Sequence, residues 1–206
     1  EAEGKVYFTY SYGQQELFLQ PLGLRHSAGS QDVFDELIIW QGGNITFSSE
    51  GVVSTSNLSF MTPISTTNSN GNNEVTTRLS GFTYNSYLYY DLLEQLGFMD
   101  FLLGGSVGYS QFSFRVEETT DDPRDITTGF LGTTKKSVYK NPAITGRLSA
   151  GLMFHIGRLT VGAEVGNVFD FSNPEWRLDG DKISDGPETS FSGFYGAAHL
   201  GVNFEI

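Results

Sequence analysis

Residues 143–166, AITGRLSAGLMFHIGRLTVGAEVG, show the pattern of a β-hairpin. Up to position 156 the even positions are apolar or small, as at Ile144, Leu148 and Leu152, whereas most odd positions are polar or small. Successive side chains of a β-strand point to opposite faces, so this alternation predicts a strand with one apolar face. A turn at 157–158 reverses the chain, and the following residues alternate in the same way. The stretch therefore predicts two antiparallel strands with matched apolar faces.

The last residues, 194–206, repeat the alternation and predict a further strand. Weaker patterns predict five more strands, near residues 5–12, 37–48, 52–62, 75–90 and 98–114. Two of these are indistinct, because Ser, Thr and Asn surround Ile45, Phe47, Leu58 and Phe60. With the hairpin, the sequence predicts eight strands in all.

The connections between these strands alternate in length. The long ones are 13–36, 63–74, 115–140 and 172–190, and the short ones are 49–51, 91–97 and 157–158. Short turns at one end and long loops at the other are typical of outer-membrane barrels whose termini are both periplasmic. The predicted fold is therefore all-β, an eight-stranded antiparallel up-and-down transmembrane β-barrel.

Composition limits the other classes of protein. The 206 residues include 25 Gly, 17 Phe and 10 Tyr, and no apolar run approaches the roughly 18 residues of a membrane helix. There is no Cys for a disulfide or thiolate site, and the net charge of −12 disfavours nucleic acid as a partner. No signal segment is visible, so we expect a mature chain from Glu1, with one barrel domain over 1–206 and no periplasmic domain.

The end of the chain, HLGVNFEI, resembles the terminal β-signal read by the outer-membrane assembly machinery. His199, Gly201, Phe204 and Ile206 fill its polar, glycine and two apolar places, although the last place is more often Phe. The whole chain is similar to small outer-membrane barrels such as the transmembrane part of outer membrane protein A, OmpX and OmpW. The resemblance implies a bacterial outer membrane location, contact with outer-membrane lipids and the assembly machinery as a partner during biogenesis. Cell-wall anchoring is not expected, because no counterpart of a peptidoglycan-binding domain follows.

Aromatic residues near the predicted strand ends suggest the two membrane interfaces. The predicted outer rim comprises Tyr10, Tyr12, Phe169, Phe171 and Phe194, and the predicted inner rim comprises Tyr87, Tyr89, Tyr90 and Phe204. Phe112 and Phe114 break the pattern, because they fall opposite the apolar face of Met99 to Tyr109. Either a bulge or a strand that extends beyond the bilayer would explain them.

Five ionisable residues fall on the predicted inward face: Arg147, His155, Glu164, His199 and Glu205. An eight-stranded barrel is only wide enough for side chains to fill its interior. These residues are therefore predicted to form a structural network of paired charges and hydrogen bonds, because an unpaired buried charge is costly. A proton path or a catalytic cluster is the alternative.

Two loop features suggest chemistry more weakly. His26 lies near Ser27, Ser30, Asp32 and Asp35, but nearness in sequence is not a catalytic geometry, so no enzyme and no cofactor are expected. Asp179, Asp181 and Asp185 have oxygen-ligand spacing for Ca²⁺, but Lys182 opposes a cation and the later bidentate Glu is missing. An acidic, solvated turn is favoured.

The first loop is unusually apolar, with Leu17, Phe18, Leu19, Leu22 and Leu24. Such residues would pack over the barrel mouth or dock onto another protein. The leading hypothesis is a non-enzymatic barrel that binds a protein partner through its outer loops or wall, as an accessory subunit of an outer-membrane complex or a surface-interaction protein. The alternatives are a narrow channel for small or apolar solutes and, third, a lipid-modifying enzyme.

Overall fold

The computed structural model contains eight long strands that close into a ring. It describes residues 4–16, 18–19, 25–26, 29–30, 37–70, 73–120, 133–172, 175–178, 181–183 and 189–205. The long strands are β1 (Lys5–Glu16), β2 (Leu37–Ser49), β3 (Val52–Met61), β4 (Asn73–Asp91), β5 (Met99–Thr120), β6 (Thr133–Ile156), β7 (Leu159–Asp170) and β8 (Gly193–Glu205). Each pairs antiparallel with the next along the chain, and β8 pairs with β1. The predicted eight-stranded up-and-down barrel is confirmed.

Several short elements lie at one end of this ring. Ile64–Asn70 pairs with the first half of β4, and Arg177–Leu178 pairs with β6 and with Asp181–Lys182. Two isolated pairings join Phe18–Leu19 to Thr189–Ser190 and Arg25–His26 to Gly29–Ser30. The one helical element described, a 3₁₀ turn at Glu94–Leu96, lies at the opposite end, between β4 and β5. Within these described ranges, no helix is long and apolar enough to cross a membrane.

Short turns mark the opposite end. At 50–51, Glu50 and Gly51 both have positive φ, 51° and 71°, as a two-residue hairpin of type I′ requires. The other turns span 92–98 and 157–158, and Lys5 pairs with Glu205 at the same level as these turns. We call this the turn end of the barrel and the opposite one the loop end.

The outer wall carries an apolar band around the whole ring. Leu148 is 62% exposed and Leu200 is 56% exposed, although both are large apolar side chains. The indistinct strands β2 and β3 carry the same band through Ile45, Phe47, Leu58 and Phe60. Outward apolar residues alternating with inward polar ones are typical of a wall that faces lipid.

Strands extend well into two of the predicted long loops. β5 continues to Thr120 and β6 begins at Thr133, so much of the predicted loop 115–140 is strand. The predicted loop 63–74 is likewise a hairpin formed by Ile64–Asn70 and β4. The pairing of β5 with both neighbours is continuous through Phe112 and Phe114, so of the two explanations offered for them the bulge is excluded.

The polarity of β5 inverts along its length, which explains the break in its apolar alternation at Phe112 and Phe114. Even positions face the interior throughout, and they change from mostly polar or small side chains to the buried Phe112, Phe114 and Val116. Outward positions change in the opposite sense, from apolar residues such as Val107 to Gln111, Ser113, Arg115 and Glu117. A wall in lipid needs an apolar outside, whereas a wall in water needs an apolar inside. The strand therefore extends beyond the bilayer.

Two of the predicted interface tyrosines lie elsewhere. Tyr87 and Tyr89 are buried inside the barrel and stack on each other with ring centroids 5.4 Å apart. They occupy inward positions of β4, whereas Tyr90 and Phe204 face outward and are exposed. Nearness to a strand end does not decide whether a side chain faces inward or outward. The odd or even position of the residue along the strand decides it.

Arginine substitutions on β6 and β8 test this register. A Cβ at Gly201 would overlap the carbonyl oxygen of Phe8 and lie 2.6 Å from Thr9 Cα, so Gly201→Arg should prevent normal closure of β8 onto β1. Leu152→Arg faces lipid nearer the bilayer centre and should cost about 2–4 kcal/mol. Val202→Arg should be the mildest, because Val202 pairs with Leu159 beside a turn. Urea titrations of the barrels folded in lipid vesicles measure the order, and neutrality of both lipid-facing variants would contradict the register.

Candidate functional site

The turn end of the interior holds a cluster centred on Asp100 and His155. Asp100 Oδ2 lies 2.8 Å from His155 Nε2 and accepts a hydrogen bond from the Tyr7 hydroxyl at 3.3 Å. His155 Nδ1 lies 3.1 Å from Thr160 Oγ1, which also accepts from Asn203 Nδ2 at 3.1 Å. With the proton on Nε2, His155 donates to the carboxylate and accepts from the threonine hydroxyl, which satisfies every member of the chain.

This cluster has the connectivity of an acid, histidine and hydroxyl relay. Hydrolases use that arrangement to activate a nucleophile, which must then reach its substrate. Thr160 is only 1% exposed and lies inside the wall with its oxygen already shared between His155 and Asn203. The geometry therefore supports a hydrogen-bonded brace between β5, β6, β7 and β8 rather than a reaction centre.

A second cluster surrounds Glu164 in the middle of the barrel. Glu164 Oε1 accepts hydrogen bonds from the hydroxyls of Tyr89, at 3.0 Å, and Tyr195. Its Oε2 lies 3.3 Å from His199 Nε2, which is an electrostatic contact rather than an aligned hydrogen bond. Arg147 donates to the Tyr87 hydroxyl at 2.8 Å, and its guanidinium lies 4.8 Å from the centre of the Tyr195 ring.

Amide side chains orient the histidine of this cluster. Asn44 Nδ2 donates to His199 Nδ1 at 3.2 Å, so the nitrogen that faces Glu164 carries the ring proton. Asn44 also donates to Thr9 Oγ1 at 2.9 Å and accepts from Asn57 Nδ2 at 2.5 Å. The buried carboxylate is thus surrounded by donors, which offsets the cost of removing it from water.

The loop end of the interior is apolar and closes the barrel. Phe112 stacks on Phe191 with centroids 4.4 Å apart and meets the edge of Trp40 at 5.7 Å. The same cluster includes Ile38, Met61, Val75, Leu79, Phe114, Val116, Ala143 and Trp176. Gln15 Nε2 donates to the Phe191 carbonyl at 3.0 Å and holds this residue beneath the loop end. The space left inside the barrel is about 60 Å³, enough for a few water molecules.

The structure places the predicted inward residues in two separate clusters. His155 belongs to the turn-end cluster, and Arg147, Glu164 and His199 belong to the middle one. The backbone of Glu205 pairs with Lys5, but its side chain lies outside the described part. Sequence analysis missed Tyr7, Asn44, Tyr87, Tyr89, Asp100 and Tyr195. Their inward parity along each strand is the signal that identifies them.

The predicted assembly signal lies on β8. Gly201 pairs with Thr9 and with Thr160, and Phe204 faces outward next to Phe8 with ring centroids 6.2 Å apart. His199 of the signal is also the buried partner of Glu164. Ile206 lies outside the described residues.

The loop candidates lie mainly outside the described ranges. Leu17, Leu22 and Leu24 of the apolar loop, Ser27, Asp32 and Asp35 near His26, and the calcium candidates Asp179 and Asp185 all do so. Phe18, Leu19, His26 and Ser30 are described by backbone pairing alone. Asp181 is exposed on its short strand, and no group of three potential metal-ligating side chains occurs within the described ranges.

The loop end also forms a platform outside the apolar band. We define the platform as residues 64–70, 73–81, 111–120, 133–143, 177–178 and 181–182. Its strands pair with one another along these segments, with an apolar cluster that includes Leu79, Phe112 and Phe114 inside and mostly polar side chains outside. On the outer side, Glu117 pairs with Arg115 and lies 3.9 Å from Lys136, and Glu175 pairs with Lys182. The platform is a strand-paired extension of the barrel beyond its apolar band.

Comparison with known proteins identifies the fold. No family model and no curated protein sequence matches this chain. Ail of Yersinia pestis, solved with the heparin analogue sucrose octasulfate, is 10% identical with a TM-score of 0.53, over 98% of this chain and 99% of that one. Neisserial surface protein A is 9% identical with a TM-score of 0.46, over 98% and 97%. The chain has the fold of a small bacterial outer-membrane β-barrel.

A matched pair of substitutions tests how strongly the middle cluster stabilises the barrel. Glu164→Leu removes the acceptor of two tyrosine hydroxyls and leaves His199 without its carboxylate, so it should cost about 3–5 kcal/mol of unfolding free energy. Lys182→Gln breaks the exposed pair with Glu175 and should cost at most about 1 kcal/mol. Both are read from urea unfolding in the same detergent. Equal losses would show that the buried cluster adds nothing beyond a surface pair.

Proposed function

We propose that this protein is a non-enzymatic surface-interaction protein of a bacterial outer membrane, with its loop end outside the cell and its turn end in the periplasm. The observation that carries the proposal is the platform, in which β4, β5 and β6 continue past the lipid-facing band with inverted polarity. Strands that only anchor a barrel in the membrane need be no longer than the bilayer is thick. Strands that continue into water present a surface outside the membrane that a partner can contact.

The platform suits recognition because the barrel holds it in place before any partner arrives. Its strands keep continuous pairing with their neighbours up to Thr120 and Thr133. A partner that binds a pre-ordered surface pays less conformational entropy than one that must order a loop. The predicted apolar loop, with Leu17, Phe18, Leu19, Leu22 and Leu24, would add contact area beside it.

Two observations disfavour the rival functions. A channel would have to displace the Phe112, Phe191 and Trp40 cap and then two hydrogen-bonded clusters beneath it. An enzyme would need an accessible nucleophile, whereas the Asp100, His155 and Thr160 relay is closed to substrate. An accessory subunit that uses its lipid-facing wall remains the second candidate, because that wall is apolar all round.

Planar bilayer recordings test the channel alternative. We expect the purified barrel to show no stepwise conductance, because side chains fill its interior. A Phe112→Ala/Phe191→Ala variant should also remain closed, since both polar clusters lie below the cap. A wide porin serves as the positive control. Conductance steps in the native barrel would favour the narrow channel, and steps in the variant alone would favour a channel gated by the cap.

Single cysteines test orientation and surface interaction together, because the chain has no native cysteine. A membrane-impermeant thiol reagent carrying a photo-cross-linker is applied to intact cells. Thr76→Cys, on the outer side of the platform, should be labelled and should cross-link to a surface macromolecule on irradiation. Ser86→Cys, on the lipid-facing part of the same strand, and Leu96→Cys, at the turn end, should stay unlabelled.

Each other outcome of this experiment has a distinct meaning. Labelling of Leu96→Cys in place of Thr76→Cys would reverse the orientation. Labelling of Thr76→Cys without any cross-linked product would contradict a surface partner at the platform. A lipid-soluble cross-linker at Ser86→Cys that captures another membrane protein would favour the accessory subunit.

A further inference from the structure

Positive charges are concentrated on the outer side of the platform. The chain has 12 Lys and Arg residues against 24 Asp and Glu residues, so a cluster of cations is not expected from its overall composition. Half of those cations lie here, namely Arg78, Arg115, Lys136, Lys140, Arg177 and Lys182.

The strand register puts like charges directly opposite each other. Arg78 is paired with Arg115 across β4 and β5, and Arg177 is paired with both Lys140 and Lys182. Like charges at directly opposite positions destabilise a sheet, so the arrangement needs an anion to compensate it.

Carboxylates of the chain compensate only part of the cluster. Glu117 forms ion pairs with Arg115 and Lys136, and Glu175 forms an ion pair with Lys182. No carboxylate of the described ranges lies at ion-pair distance from Arg78, Lys140 or Arg177, which are all exposed. Three cations thus remain available to an external anion: Arg78 on β4, Lys140 on β6 across the intervening β5, and Arg177 on the short strand beside β6.

The height of these cations above the apolar band matches a lipid headgroup. Arg78 is four residues from Phe82, and Lys140 is four residues from Ile144, both on the lipid-facing side. Four residues span about 13 Å along a strand, and about 10 Å along the axis of a tilted barrel. The headgroup region of one leaflet is roughly 5–8 Å deep, and Lys and Arg side chains reach several ångströms towards it. Tyr84 and Tyr109, paired just below, are exposed as interface residues are.

We propose that Arg78, Lys140 and Arg177 bind the phosphate groups of a glycolipid in the outer leaflet. This rests on the outward orientation of the loop end proposed above. Guanidinium groups bind phosphate through two parallel hydrogen bonds, and the ammonium group adds a point charge. The apolar wall below, with Phe82, Ile144 and Phe171, contacts the acyl chains and holds the phosphates at the height of the cations. A free phosphate lacks that second contact, so the lipid is the favoured ligand.

Binding of purified lipid A to the full chain in zwitterionic detergent tests the assignment. Diphosphoryl lipid A should bind clearly more tightly than the same lipid with its phosphates removed, and added salt should weaken the difference. Arg78→Gln/Lys140→Gln should weaken diphosphoryl lipid A binding about 10-fold or more, since each basic residue near an anionic surface contributes several-fold. The matched control Lys5→Gln/Arg158→Gln removes two cations at the turn end and should change binding less than about twofold.

Several results would overturn the lipid site. One is equal binding of the dephosphorylated lipid, and another is an unchanged affinity of Arg78→Gln/Lys140→Gln for diphosphoryl lipid A. A third is inorganic phosphate that binds as tightly as lipid A, and a fourth is binding of a sulfated polysaccharide but not of lipid A. Both variants are first checked for the fast gel mobility of an unheated closed barrel. If the double variant fails this check, Arg177→Gln, on a short exposed strand, should still weaken lipid A binding several-fold. An unchanged affinity of Arg177→Gln would then overturn the site. Both ends of the barrel are accessible in detergent, so failure here leaves the cell-surface labelling result standing, and the reverse also holds.

Discussion

Closure of eight antiparallel strands into a ring assigns one side of every strand to the interior. The ring of eight strands has no free edge, so its backbone groups pair between neighbouring strands, which is a requirement for any structure that crosses lipid. The interior of so small a ring is narrow and must be filled by side chains. Every other feature of this protein follows from which medium surrounds a given section of the ring.

Where lipid surrounds the ring, the polar side chains lie inside and must satisfy one another. Glu164 and Asp100 each collect a histidine and at least one tyrosine hydroxyl, and each histidine has its second nitrogen occupied by a neighbouring polar group. Groups of this kind are costly to bury unless they are paired. This demand leaves space for only a few waters among the interior side chains that the structure describes.

Where water surrounds the ring, many inward positions are apolar, as at Phe112, Phe114 and Val116, and most outward ones are polar. The platform is therefore a continuation of the barrel rather than a set of loops added to it. Its outer side does not contact lipid and so need not be apolar. Positive charges are concentrated there, although the protein as a whole is acidic. The proposed recognition role rests on these cations next to the band and on the polar surface beyond it.

The alternation of side chains was enough to predict the fold, because parity along a strand is a local property. Residues 143–166 and 194–206 showed which side faces lipid, and so identified Arg147, His155, Glu164 and His199 as inward residues. The pattern left two explanations open at Phe112 and Phe114, since a change of surroundings and a change of register look the same in one sequence. It also placed Tyr87 and Tyr89 at an interface, although both belong to the interior.

The sequence by itself thus determined the strand count, the order of pairing and the lipid-facing side of most strands, because these depend on period and on loop length. Only the tertiary structure decided which polar groups meet. Asp100 reaches His155 across 55 positions and Tyr7 across 93, and strand stagger sets such contacts rather than local preference. It also decided where the ring leaves the bilayer and which cations share its outer side, since Arg78, Lys140 and Arg177 share one side only when β4, β5, β6 and the short strand Arg177–Leu178 lie side by side.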